Sequence, residues 1–282
     1  MKFAFLGYSL EENWDAMTKS QQDSMLEDCF TYDSKLLKEG HLIGDGFPLQ
    51  PSRTAKTLRW REGTVIVTDG PFAETKEQLG GVGLLEATDM AHAVALMSKH
   101  PSLHYGAVFE VRPIDEESLK RQTMSIAAFR TNAPAADPKS LRFVSLGYID
   151  ENGWGSISED ERAAMMTRCV AFDEARIKSG QWRSGIALQG ARTAKTLRAK
   201  AGRVTITDGP FVETKEHLGG IVVLTLKDLN EGVATLREHP ALPFGVAIEL
   251  RAIDKETNRR WEIKQGRVNS TEEKGIVVDQ LG

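Results

Sequence analysis

Apolar and polar positions alternate weakly over residues 2–8, which reads as a strand. The period then lengthens. Leu26, Phe30, Asp33 and Leu37 share one stripe at three-to-four spacing, the pattern of a helix with one covered face. Thr18 with Gln21 has the form of a capping box at its start, and Gly40 fits its C-terminal stop. Extended segments at 54–60 and 64–69 flank a Glu62-Gly63 turn, a hairpin signal. A strand at 81–87, a helix from Asp89 to about His100 and a strand at 106–113 complete the order β-α-β-β-β-α-β.

The same pattern then runs again. Residues 49–59, LQPSRTAKTLR, return as LQGARTAKTLR at 188–198, nine of eleven identical at an offset of 139. DGPFAETKEQLGG at 69–81 returns as DGPFVETKEHLGG at 208–220. Upstream the offset is 140, as in Gly40 and Gly180, so one residue is gained or lost between Gly40 and Gly46. Ser158 with Glu161 repeats the capping box, and Met166, Val170, Asp173 and Ile177 repeat the helix stripe. Two copies of so long a unit indicate a domain duplication.

The expected organisation is therefore copy 1 over 1–115, a linker over 116–140 with a short helix in it, copy 2 over 141–254, and a polar tail over 255–282 that begins with a short helix. Each copy has the ferredoxin-like α+β plan with an extra hairpin strand. Helices cover one face of such a sheet, and the other face needs a partner. The second copy is the obvious partner, which predicts two sheets facing each other as an intrachain α+β barrel with an enclosed space between them. On that plan the chain is a monomer with an internal pseudo-dimer, or a homodimer if the copies pair between chains.

Composition narrows the function classes. Charged residues make up 27% of the 282, and the net charge is −4, which gives a nucleic-acid partner no electrostatic support. No apolar run approaches the roughly 18–20 residues of a membrane span, and the acidic stretch behind Phe3–Leu6 does not suit a signal peptide. The expected location is the cytoplasm. Cys29 and Cys169 sit at equivalent helix positions without CxxC spacing and read as small buried apolar residues. No metal cluster or cofactor motif is present, so neither a metal nor a cofactor is expected.

Candidate chemistry centres on the repeated loop. Val65, Val67 and Asp69 share a strand face, as do Val204, Ile206 and Asp208, so each aspartate continues an apolar face and is expected to lean inward. A buried carboxyl has a raised pKa and can work as a general acid or base; the other reading is a turn cap. Arg53, Lys56, Arg192 and Lys195 flank the preceding strand and could hold an acidic ligand or pair with those aspartates. Glu74, Lys76, Glu213 and Lys215 lie in the retained polar loop, which could act as a lid. Asp33 and Asp173 interrupt apolar helix stripes and need partners. Glu110 with Arg112, and Glu249 with Arg251, read as structural pairs. His100 and His239, each before a proline at a helix end, read as groups that satisfy terminal carbonyls.

The two DGPF segments, with the preceding TLR strand and the closing EVRP, resemble the DGPF-type members of the YCII-related family over residues 1–114 and 141–253. The resemblance implies a ferredoxin-like fold paired into an α+β barrel. It also implies a function in small-molecule chemistry, or a regulatory role beside an extracytoplasmic-function sigma factor. Simpler members carry a histidine on the first helix, thought to pair with an aspartate; that helix has no histidine here in either copy. The expectation is a small-molecule-binding barrel, with cofactor-free isomerase- or lyase-like acid/base chemistry on a small organic acid or phenolic compound. The alternative is a non-catalytic accessory protein.

Overall fold

A computed structural model describes residues 1–73, 75–130, 139–155, 157–212 and 214–267. Copy 1 runs β1 (Lys2–Ser9), α1 (Glu11–Asp15), α2 (Lys19–Lys38), β2 (Leu42–Pro48), β3 (Lys56–Arg61), β4 (Thr64–Asp69), β5 (Gln78–Glu86), α3 (Met90–Met97) and β6 (Val108–Pro113), followed by α4 (Glu116–Arg130). Copy 2 repeats this as β7 (Leu141–Asp150), α5 (Glu151–Trp154), α6 (Glu159–Lys178), β8 (Trp182–Ala187), β9 (Lys195–Lys200), β10 (Arg203–Asp208), β11 (Glu216–Leu226), α7 (Leu229–Leu236) and β12 (Ala247–Ala252), followed by α8 (Lys255–Lys264). Both capping boxes form, Thr18 with Gln21 and Ser158 with Glu161. Gly40 and Gly180 end α2 and α6 at φ +78° in both copies, a backbone that disfavours a side chain.

Among the described residues each copy thus has six strands, not the five that the pattern predicts. The missed strand, β2 or β8, hides behind Gly44, Gly46 and Pro48 in copy 1. Its pairing with β5 also slips between Ile43 and Phe47. That bulge holds the extra residue that shifts the repeat offset.

The strand orders are β10-β9-β6-β1-β5-β2 and β4-β3-β12-β7-β11-β8, all antiparallel. In each sheet four strands come from one copy in ferredoxin-like order, and the outer hairpin comes from the other copy. The facing-sheet plan holds, and the structure adds to it that the hairpins are exchanged, β6 pairing with β9 and β12 with β3. The helices after the last strands cross over too. α8 lies on α2, with Trp261 5.6 Å from the Phe30 ring and Arg260 2.7 Å from Asp23, and α4 packs on α6 and β8. The segment expected as a linker is therefore in part a packed helix. No helix of the described residues is long and apolar enough to cross a membrane.

Strand alternation sets three cores. Leu6, Leu84, Val108, Leu146, Val223 and Ile253 belong to a cluster between the sheets, while Phe3, Leu85 and Val111 pack under the copy 1 helices and Phe143, Leu224 and Leu250 under those of copy 2. Side chains of both sheets occupy most of the space between them.

Because each half completes the other's sheet, residues 1–117 made alone are expected to assemble as a dimer that exchanges β3-β4 between chains. Sedimentation analysis checks this. A monomer with the full cooperative melt would show that the hairpin can fold back on its own copy.

Candidate functional site

The DGPF aspartates do not lean inward. The Asp69 and Asp208 side chains are 82% and 85% exposed and pair with Lys56 and Lys195, directly across the hairpin. The face matches the expectation in copy 1, where Val65 and Val67 pack on the copy 2 helix-side core, but only in part in copy 2, where Val204 packs on the copy 1 helix-side core and Ile206 is 51% exposed. However, β4 and β10 are outermost strands, and each aspartate is the last residue of its strand. Arg53 is exposed and lies 3.8 Å from Asp15 and 3.9 Å from Glu11; Arg192 and Lys76 are exposed too. Lys215 pairs with Asp150 at 2.9 Å, and that contact raises the lysine pKa. Glu74 and Glu213 lie outside the described residues. The expected anion-binding residues are therefore spread over the surface, with Arg53, Lys56, Lys195 and Lys215 in separate ion pairs.

What the loop does is fasten the exchange. Gly70 and Gly209, both at φ +92°, turn the chain sharply. The Phe72 backbone N–H then donates to Glu249 at 2.8 Å, and the Phe211 N–H to Glu110 at 2.9 Å, each across to the other copy. The Phe72 ring stacks on Tyr148 at 4.1 Å and Phe211 lies 4.7 Å from Tyr8. Arg59 is half-buried, donating to the Phe72 carbonyl at 2.9 Å.

Glu110 and Glu249 are held by their own neighbours two residues on. Arg112 Nε donates to Glu110 at 2.9 Å and Arg251 Nε to Glu249 at 2.8 Å, and all four residues are about 1% exposed. The guanidiniums also reach the Leu218 and Leu79 carbonyls. Tyr8 and Tyr148 complete this polar centre, and burial keeps both phenols protonated, with pKa values well above 10. The space left there is ≈ 30 Å³, room for about one or two waters.

The larger cavity, ≈ 250 Å³, lies in copy 1 between the sheet and α2. Its wall is mostly apolar, including Phe5, Phe30, Phe47, Phe109 and Trp261, and holds no lysine or arginine among the described residues. Asp33 and His100 stand in it with His100 Nε2 3.3 Å from Asp33 Oδ1. His100 Nδ1 accepts the Ser102 N–H at 3.2 Å and lies 2.8 Å from the Ser102 hydroxyl. The nitrogen that accepts a backbone N–H carries no proton in the neutral ring, so the proton sits on Nε2, facing Asp33. The approach of Nε2 is off the hydrogen-bond direction, and buried Asp33 Oδ1 is left without a donor.

This pair is not legible as a pair in the sequence. His100 does cap, but as an acceptor at the start of the 3-10 turn Pro101–Tyr105, not by satisfying helix carbonyls. The signal was Asp33 on its apolar stripe together with a histidine retained in both copies. Cys29 sits one turn away; burial pushes its thiol up to about 12 and that of Cys169 to about 11, so neither is a ready nucleophile.

Fold and site together define a duplicated ferredoxin-like α+β barrel with exchanged hairpins and a helix-covered apolar cavity. The YCII-related domain model matches residues 1–117 and 141–254, and the chain belongs to that family. An uncharacterised protein of Rhizobium meliloti (strain 1021) is 36% identical over 118 residues, 40% of this chain and 92% of that protein, so it corresponds to a single copy. Among solved structures, a heme-binding protein from Thermus thermophilus is similar with a TM-score of 0.44 and 11% identity, over 92% of this chain and 94% of that one. Chlorite dismutase from Candidatus Nitrospira defluvii gives 0.43 and 7% over the same shares. Similarity at that level says nothing of ligand or chemistry here.

Proposed function

We propose that the protein binds a small, uncharged, hydroxyl-bearing aromatic compound in the copy 1 cavity and that Asp33, with His100, takes the hydroxyl proton. The observation that carries this is a buried carboxylate oxygen lacking a donor inside an otherwise apolar cavity. A ligand O–H supplies that donor, relieving a desolvation cost of about 1–3 kcal/mol. The size suits one or two rings, since an apolar cavity of about 150 Å³ already takes benzene. With no lysine or arginine among the described residues of the wall, a phenol fits better than the organic acid that the loop basic residues suggested. As Asp33 accepts the proton, the adjacent imidazole N–H stabilises the charge that develops, which makes proton abstraction followed by isomerisation or elimination the chemistry this geometry supports.

The test is a thermal-shift and turnover screen of phenols, naphthols and small organic acids. A fitting phenol at 100 times its dissociation constant is expected to add about 2.7 kcal/mol of stability. Asp33→Asn should weaken it at least tenfold, while Asp69→Asn/Asp208→Asn should not. Stabilisation by organic acids alone, lost in the Asp69/Asp208 variant, would return the site to the loop. Binding without turnover of any phenol would make the protein a sensor.

A further inference from the structure

The two halves are not equivalent at this cavity. Register places Leu42 opposite Leu85 and Trp182 opposite Leu224, its counterpart in copy 2, so a tryptophan stands where copy 1 has leucine. The effect is visible at the glycines beneath. A Cβ built on Gly46, which lines the copy 1 cavity, would meet only the Val82 carbonyl, at 3.6 Å. On the equivalent Gly185 it would meet Trp182 Cζ2 at 2.8 Å and the Gln122 amide at 3.0 Å. Likewise, Gly80 has Ser9 Oγ at 3.6 Å above it, and its counterpart Gly219 has Ile149 Cδ1 at 2.9 Å.

The bulk comes from a different place in each half. In copy 1 the indole near the cavity belongs to the crossing helix, Trp261 on α8, and forms a wall. In copy 2 the equivalent crossing residue is Gln122, and the indole comes from the strand. Trp182 Nε1 and Gln122 Oε1 are both buried without partners, so this packing gives up two hydrogen bonds to fill the space. The aromatic walls Phe5, Phe30 and Phe109 are replaced by Ser145, Val170 and Ile248. The pairing is lost as well: Ser102 becomes Ala241, and although Asp173 Oδ1, like Asp33 Oδ1, is buried without a donor, no ion pair joins Asp173 to His239 among the described residues.

We propose that the halves have divided the work: an aromatic hydroxyl compound enters only the copy 1 cavity, Trp182 with Gln122 and Ile149 fills the matching space in copy 2, and one chain binds one ligand molecule. This rests on the functional reading above.

Titration calorimetry with 2-naphthol tests it on the full chain. The wild type is expected to bind one equivalent. Leu42→Trp, which gives copy 1 the copy 2 residue, should weaken binding at least tenfold, and Trp182→Leu should leave the first affinity within about twofold. Asp33→Asn against Asp173→Asn makes the same discrimination without added bulk, should Leu42→Trp fold poorly: only Asp33→Asn should lose binding. Two equivalents in the wild type, or loss in Asp173→Asn equal to that in Asp33→Asn, would overturn the division while leaving the cavity as a binding site. No binding of 2-naphthol or of any phenol by the wild type would remove the functional reading, and this inference with it.

Discussion

Glu249→Ala is expected to destabilise the protein by about 3–5 kcal/mol, the range for breaking one side of a buried ion pair. The alanine would strand Arg251, about 1% exposed, without its carboxylate, and would leave the Phe72 N–H without its acceptor. Two penalties of different kind add: an uncompensated buried charge and a released loop. Replacing Glu249 and Arg251 together by leucine and methionine should cost much less, since no charge is left behind; only the Phe72 N–H and Leu79 carbonyl lose partners. Urea unfolding of wild type, Glu249→Ala and the double variant measures both. A double variant as unstable as the single one would mean that the loop contact, not the stranded arginine, carries the loss. Equal stability of all three would show that the buried pairs do not fasten the exchange.

The second large effect is in pH dependence. Burial, against the opposing pull of Arg176, pushes Asp173 up from 3.8 to about 7, and burial with Arg176 pushes His239 down from 6.5 to about 4. The aspartate binds its proton more tightly folded than unfolded, so its contribution to stability is present at acid pH and is lost as pH rises from about 4 to 7. The histidine binds its proton less tightly folded, so its contribution is lost as pH falls from about 6.5 to 4. At about 1.4 kcal/mol per pH unit, each amounts to roughly 3 kcal/mol between pH 4 and 6.5, with opposite sign. Relative to the other groups, the wild type should be nearly flat there. Asp173→Asn removes one arm, so its stability should rise by roughly 3 kcal/mol relative to wild type between pH 4 and 6.5. Thermal melts across that range check it. A variant curve parallel to the wild type would show that Asp173 titrates normally.

Local elements were legible because local chemistry fixes them. Thr18 and Ser158 start helices through their own hydroxyls, and Gly40 and Gly180 stop them through a backbone that few other residues adopt. The exchange was not legible for an equally physical reason. β3 and β9 share the TLR core and similar flanks, so either hairpin offers the same register to either sheet edge, and no side-chain pattern marks which one it joins. The strand β2 escaped because glycines and a bulge erased its alternation. Asp69 showed its face but not its exposure, since it ends a strand that the fold places at a sheet edge. The Asp33–His100 pair needed two segments far apart in sequence to be brought together by the packing of α2 on the turn after α3. Each residue alone has an ordinary structural reading.

The exchanged hairpins also dictate a timetable. The first sheet opens with β1 and closes only when β9 and β10, ending at Asp208, have joined β6. A ribosome must therefore emit the chain as far as Asp208 before copy 1 can complete its sheet, and meanwhile β6 offers a bare strand edge. Folding must wait on synthesis, and a neighbouring nascent chain offering its own β9-β10 would be a competitor for the same edge.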